Sequence, residues 1–172
     1  MLSIRPATVQ DLRLILDLIH DLAEYERAPE CAVATERDLL RDGFGADPKF
    51  RCVIAEWNGQ PAGFALYFYN YSTWQGRPGL YLEDLFVRPS FRGKGIGKAL
   101  LIYLAQVAVR ENCGRFQWAV LDWNTPAIEF YESLGAKRLD EWITMRVEGN
   151  EIEKLASQPS VVSQQPPVKA IP

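Results

Sequence analysis

The chain has 172 residues, 48% of them hydrophobic, and a formal net charge of −3. A chain of this size buries roughly 70% of the surface its unfolded form exposes, enough for one domain and short for two. The acidic balance argues against a polyanionic partner such as nucleic acid, whose binding rests on clustered Lys and Arg, and favours a small cationic molecule. No apolar run approaches the ~20 residues that span a bilayer. Met1-Leu2-Ser3-Ile4-Arg5-Pro6 lacks the apolar core and cleavage site of an export signal. The expectation is a cytoplasmic protein with no membrane partner. Cys31, Cys52 and Cys113 form no Cys-x-x-Cys pair and His20 is the one histidine. Neither a disulfide framework nor a metal site is expected; the cysteines read as small buried hydrophobes and His20 as a surface residue.

Leu2 to Arg5 alternates as a strand does, and Thr8-x-x-Asp11 supplies a capping box for a first helix. In that helix Leu12, Ile15, Leu16, Ile19, Leu22 and Ala23 recur at three- and four-residue spacing, placing one stripe against a core, and Pro29 ends the pattern. A shorter helix starts at Thr35, with Asp38 at its third position, and stops near Gly43 and Gly45. Phe50 to Trp57 and Pro61 to Tyr71 are strand-like and flank Asn58-Gly59, a strong hairpin signal because both residues tolerate positive φ. Leu80 to Val87 is a further strand. A helix then runs from the glycine-rich stretch to about Glu111, its core face being Ile96, Leu100, Tyr103, Leu104, Val107 and Ala108. Phe116 to Leu121 reads as a strand, Thr125-Pro126 opens a helix that ends at Gly135, and Ile143 to Val147 reads as a closing strand. The order β-α-α-β-β-β-α-β-α-β predicts an α+β fold, a mixed central sheet with helices on both faces. It occupies residues 1–155. Residues 156–172, rich in Pro, Ser and Gln and free of aromatics, read as a flexible tail.

A glycine-rich turn between a strand and a helix gathers free backbone N–H groups at the positive end of a helix dipole and so suits a phosphate. The nucleotide pattern Gly-x-x-x-x-Gly-Lys-Ser/Thr fails here, because Ala99 follows Gly97-Lys98 and Arg92 holds the first glycine's place. The dinucleotide pattern Gly-x-Gly-x-x-Gly fails at Lys98 or Leu100, depending on where it is started. Arg92-Gly93-Lys94-Gly95-Ile96-Gly97 instead resembles the pyrophosphate-binding motif of the GNAT acetyltransferases. The likeness extends over residues 4–147, through Ile4-Arg5-Pro6-Ala7-Thr8, Tyr25-Glu26, Gly63-Phe64-Ala65, Tyr81-Leu82-Glu83-Asp84, Trp123-Asn124-x-Pro126 and Phe130-Tyr131-x-x-x-Gly135-Ala136. These segments resemble the diamine (spermidine/spermine) acetyltransferases of that superfamily.

The resemblance implies acetyl-CoA as co-substrate, no metal, a small amine as acceptor and a homodimer. It implies that Leu85, Phe86 and Val87 pair with the pantetheine arm, and that Arg92, Gly93, Lys94, Gly95, Ile96 and Gly97 hold the pyrophosphate. Asn124, Thr125, Pro126 and Ala127 would contact the far side of the cofactor. An alkylamine with a pKa of about 10.4 needs about 4 to 5 kcal/mol to free its lone pair at pH 7, and the carboxylate in the matching position is Glu83. The acid for the leaving thiolate would be Tyr131. The amine site would be formed by Tyr25, Glu26, Glu83, Asp84, Gln117, Trp118 and Ala119. Glu83 and Asp84, as strand neighbours, are expected to point to opposite faces and not to act as a coupled pair. Tyr67, Tyr69 and Tyr71 share one strand face and read equally as a wall for an alkyl-ammonium chain, a core stripe or a dimer stripe.

One departure bears on substrate. Lys137-Arg138-Leu139-Asp140-Glu141 is shorter and more basic than the acidic stretch of the animal polyamine enzymes, which admits a lysine-like amino acid whose carboxylate uses Lys137 or Arg138. A non-catalytic acyl-CoA or polyamine sensor also fits these residues, as does a transferase for proteins or aminoglycosides. No cysteine has a histidine partner to make it a nucleophile, so direct transfer in a ternary complex is expected.

Overall fold

A computed structural model describes residues 1–159. In chain order the elements are β1 (Leu2–Pro6), α1 (Leu12–Tyr25), α2 (Glu36–Phe44), β2 (Arg51–Trp57), β3 (Gln60–Ser72), β4 (Arg77–Val87), α3 (Ile96–Arg110), β5 (Arg115–Trp118), α4 (Thr125–Ser133) and α5 (Asn150–Ala156). They fall into two compact units, one from Met1 to Trp123 and a second that begins at Asn124.

The first unit is built on a five-stranded sheet in the order β1-β2-β3-β4-β5. Its first three pairings are antiparallel and the last is parallel, the mixed sheet that the sequence predicts. Asn58 and Gly59, at φ 52° and 76°, make the β2–β3 hairpin with the left-handed pair its twist requires. Thr35 caps α2 as expected, its hydroxyl accepting the Asp38 N–H at 3.3 Å.

Register decides which side chains share a face. Cys52 lies opposite Leu66, Ile54 opposite Phe64, and Phe64 opposite Phe86, and all five are buried against Ile15, Leu16, Leu18 and Leu22 of α1 and Leu39 of α2. Val53, Ala55 and Ala65, at the alternate positions, are buried as well, so the other face is also covered. Helix α3 supplies that cover, packing on β1, β3, β4 and β5 and burying Ile96, Leu100, Leu101, Leu104, Val107 and Ala108. Leu101 joins the predicted face, whereas Tyr103 stays half-exposed.

Four expectations need correction. Strand β5 covers Arg115–Trp118 rather than 116–121 and leaves Ala119 outside, because its pairing with β4 ends at Leu82 opposite Trp118. No strand forms over Ile143–Val147; Ile143 and Met145 are more than four-fifths exposed, and an alternating pattern makes a strand only where an edge receives it. Helix α5, short and without an apolar stripe, was not predicted and runs across the expected boundary at residue 155. Cys31 is exposed rather than buried, while Cys52 is buried and His20 exposed as expected. From residue 160 on, the expected tail lies outside the described residues.

A charge knot ties β1 to the start of α1. The buried Asp11 carboxylate accepts both terminal nitrogens of Arg5 at 2.8 Å, the Thr8 N–H at 2.8 Å and the Thr8 hydroxyl at 2.9 Å. Arg5 Nε also donates to Glu56 of β2 at 2.9 Å. The Arg5 guanidinium and the Thr8 donors hold the Asp11 carboxyl well below the usual carboxylate range. Its stabilisation is therefore present across neutral pH and is lost only in strong acid. Removal of Asp11 leaves Arg5 its Glu56 partner but strips the Thr8 donors of their acceptor. Asp11→Ala is expected to cost about 1 to 2 kcal/mol, read as a lower urea midpoint with an unchanged slope; a midpoint within error of the wild type would refute the assignment.

Candidate active site at the open edge of strand β4

The pairing of β4 changes along its length. Up to Leu82 it lies between β3 and β5, with Tyr81 opposite Gln117 and Leu82 opposite Trp118 on the β5 side. Leu66 then faces Asp84 while Tyr67 faces Leu82, so Glu83 is the extra residue of a bulge. Beyond it, among the described residues, no strand pairs with Glu83–Val87 on the side that β5 has left. The opposite side is held tightly: a Cβ on Gly63 of β3 would lie 2.3 Å from the Phe86 carbonyl oxygen, so only glycine permits this approach. The strand thus carries a free backbone edge through Leu85, Phe86 and Val87, the residues expected to pair with a pantetheine arm.

The free edge leads directly into the glycine-rich turn. Gly93 and Gly95 both sit at φ 75°, the left-handed region that a side chain disfavours, and Gly95 caps α3. The Arg92 N–H donates to the Pro89 carbonyl at 3.2 Å, and the next N–H to meet a backbone carbonyl is that of Ala99, which donates to Gly95 at 3.0 Å. Those of Gly93, Lys94, Gly95, Ile96 and Gly97 have no backbone acceptor among the described residues. Five donors at a helix N-terminus fit a pyrophosphate. The two cationic side chains of the turn are engaged elsewhere. Arg92 Nε donates to the Val87 carbonyl at 3.0 Å. Lys94 Nζ donates to the Ser90 carbonyl at 3.1 Å and lies over the rings of Phe91 and Trp57.

Beside the bulge, three expected amine-site carboxylates come together. Asp84 shares its sheet face with Leu66 and Phe86, beneath α1, whose end is Tyr25 followed by Glu26. Burial, then the charges of Glu83 and Glu26, push the Asp84 carboxyl up to about 6, and burial also raises Glu26. The Glu83 charge thus adds to the effect of burial on Asp84, while the Glu83 side chain itself is exposed. None of the three forms an ion pair among the described residues. Gln117 and Trp118 lie next to this cluster through their pairing with Tyr81 and Leu82. Ala119 follows the end of β5. Tyr67 and Tyr69 lie elsewhere, near Arg51 and the Glu111 that follows α3, so they wall no part of this acidic cluster.

The structure adds a residue that sequence reasoning left out of the site. The Trp123 ring lies 6.4 Å from that of Tyr25, which is 6.4 Å from Phe86. The signal for it was its place in Trp123-Asn124-x-Pro126.

The second unit carries the remaining expected residues. Asn124 precedes α4, and its carbonyl accepts the N–H groups of Ala127 and Ile128 at 3.0 Å. Thr125 and Pro126 occupy the first turn, where proline's missing donor is no loss. Tyr131 lies on the same helix, its ring 5.4 Å from that of Phe130.

Comparison with known proteins bears on all of this. Residues 15–136 match the model of the "Acetyltransferase (GNAT) family". The chain is 42% identical over 166 residues to the thialysine N-epsilon-acetyltransferase of Sus scrofa, covering 90% of this chain and 97% of that protein. It is 39% identical over 164 residues to the spermidine/spermine N(1)-acetyltransferase-like protein 1 of Homo sapiens, covering 90% of this chain and 24% of that longer protein. Among solved structures, an integron cassette protein from the mobile metagenome of V. cholerae superposes with a TM-score of 0.77 at 31% identity, covering 91% of this chain and 98% of its own.

Because Asp84 keeps its proton to about pH 6 in the folded chain and to about pH 4 when unfolded, its ionisation opposes folding above that range. Below pH 4 both states are protonated and the penalty vanishes. Asp84→Asn is expected to stabilise the protein by about 2 to 3 kcal/mol at pH 8, with the gain fading toward pH 4. Thermal melts across pH check this; an equal gain at both ends would contradict it.

Proposed function

The chain belongs to the acetyltransferase (GNAT) family, and from that premise we propose that it moves the acetyl group of acetyl-CoA directly onto the primary amine of a small cationic molecule. The observation that carries the proposal is the cluster of Glu26, Glu83 and Asp84, three carboxylates with no ion-pair partner among the described residues, at the point where β4 loses its neighbour. Carboxylates gathered around the half-buried Asp84 attract a cation, and an alkyl-ammonium brings the charge that removes their mutual repulsion.

The chemistry follows from what each group holds. The free N–H groups of Gly93 to Gly97 take the pyrophosphate, and the open edge of Leu85 to Val87 takes the pantetheine arm, leaving the thioester beside the bulge. Backbone N–H groups on that edge polarise the thioester carbonyl and stabilise the oxyanion as it forms. The half-buried Asp84 and the exposed Glu26 fix the ammonium, and Glu83, also exposed, receives its proton through a water. The freed lone pair attacks the carbonyl carbon to give a tetrahedral intermediate, which collapses with cleavage of the C–S bond; Tyr131 gives its proton to the leaving thiolate, and the surplus proton on the acylated nitrogen returns through water to the Tyr131 phenolate, leaving the amide and the free thiol. Asn124 to Ala127 hold the far side of the cofactor, and Tyr25, Gln117, Trp118 and Ala119 line the amine. No protein nucleophile takes part: Cys52 is buried and its thiol is pushed further up by burial.

Two acceptor types fit. A polyamine or diamine satisfies the acidic cluster, and the relative that covers the chain from the human side is named for spermidine and spermine. A lysine-like amino acid is favoured by the basic and exposed Lys137-Arg138, which answer an acceptor carboxylate, and by the identity to the thialysine enzyme over nearly its whole length.

Thiol release from acetyl-CoA, followed with thialysine, lysine, ornithine, putrescine, spermidine, spermine and an aminoglycoside, tests the proposal. Turnover on amino-acid amines or on polyamines decides between the two acceptors; turnover on none of them would refute a small-amine transferase. Tyr131→Phe and Glu83→Gln are each expected to lower kcat about a hundredfold with coenzyme A affinity unchanged. Undiminished turnover in either variant removes that residue from its role.

A further inference from the structure

The end of α1 meets the cofactor turn through a stack of rings and cations. The Arg92 guanidinium, at the start of the turn, lies over the Tyr25 ring with its central carbon 4.5 Å from the centroid. It is 5.8 Å from the Phe86 centroid. Tyr25 in turn meets Trp123 at a tilt of 50°, and the Arg27 guanidinium closes the far end, 4.9 Å above the Trp123 ring. Arg27 holds this place at φ 63°, in the left-handed region that non-glycine residues seldom adopt.

An aromatic face attracts an organic cation, and it takes one at a time. Tyr25 directly precedes Glu26, one of the three carboxylates of the amine site, and the face of its ring is occupied by a cation that belongs to the cofactor site. What holds Arg92 there is a neutral carbonyl, that of Val87, and two rings. A pyrophosphate on the five free N–H groups of the same turn offers the guanidinium charge-assisted hydrogen bonds, roughly twice as strong as a bond between neutral groups.

We propose that Arg92 is a positioning residue that couples the two sites: in the free protein it stands in for the substrate ammonium on Tyr25, and it leaves that ring when the pyrophosphate arrives. The inference rests on the acetyltransferase reading above. Amine and cofactor then bind with positive coupling, because the first ligand clears the place of the second, and by linkage the coupling is reciprocal. Trp123 and Arg27 set the pitch of the stack and keep the Tyr25 ring upright for the exchange.

The test uses coenzyme A itself, which fills the cofactor site without turnover. Titration calorimetry with the best acceptor from the panel is expected to show about five- to tenfold tighter amine binding on the loaded protein, the range of one partly desolvated cation–π contact. In Arg92→Gln, which keeps a donor for the Val87 carbonyl but loses the charge, the unloaded protein is expected to bind amine about as well as the loaded one. Arg92→Lys, which restores a cation, is expected to recover the coupling. A wild-type ratio of one, or an Arg92→Gln ratio equal to that of the wild type, would overturn the proposal. A second readout needs no amine. The side-chain Nε–H resonance of Arg92, shifted by the Tyr25 ring current, is expected to move when coenzyme A alone is added, and a resonance that stays in place overturns the proposal. Failure of every amine to turn over would instead refute the acetyltransferase reading, so the two failures are told apart.

Discussion

Everything at the candidate site depends on strand β4 losing one neighbour partway along its length. A sheet strand normally has both edges satisfied, and a free edge inside a fold is a liability that folds cover, twist away or use. Here Leu82 is the last residue paired to β5, Glu83 is the extra residue of a bulge, and Leu85 to Val87 continue with one edge open. The bulge separates the strand into a structural half and a working half. Gly63 allows β3 to stay close to Phe86, so the working half is held firmly from one side while the other remains available.

From that geometry the electrostatics follow. The open edge runs from a crowd of carboxylates at its beginning to a crowd of N–H donors at its end, where Gly93 and Gly95 bend the chain into α3. An acceptor amine is cationic and a coenzyme pyrophosphate anionic, and the two ends of one strand segment carry the opposite charges. The same segment places Phe86 under Tyr25 and Tyr25 under Arg92, so the two ends are in mechanical contact and not merely near each other. The stability given up by desolvating Asp84 is offset by two well-filled layers, α1 and α2 on one face and α3 on the other.

Much of this was legible in the sequence, for identifiable reasons. The helices α1, α2 and α3 announce themselves through capping residues and apolar stripes, and the β2–β3 hairpin through Asn58-Gly59. The turn is legible because two left-handed residues in three leave glycine as the natural choice. The proximity of Glu26 to Asp84 was not, since nothing local links the end of a helix to a strand in the middle of the sheet; it entered only through the family likeness. Nor was the bulge, which inserts an ordinary glutamate into an ordinary apolar strand and so leaves no compositional mark. That one residue is why Leu82 and Asp84, two apart in sequence, lie opposite the adjacent residues Tyr67 and Leu66 of β3. Strand β5 came out short for the same reason, its predicted length assuming a β4 edge that the bulge removes. Ile143 to Val147 misled in the other direction, since alternation records a capacity for pairing, whereas a strand also needs an edge in reach.

The central claim is that acetyl passes straight from coenzyme A, lying along β4 and its turn, to an amine held by the carboxylates, without stopping on the protein. The most direct measurement is an initial-rate matrix in which acetyl-CoA and the preferred amine are varied together, paired with incubation of the protein and radiolabelled acetyl-CoA alone. Direct transfer gives intersecting double-reciprocal lines and no label retained on the denatured protein. Parallel lines with label retained on the chain would contradict it and require a covalent acetyl-protein intermediate.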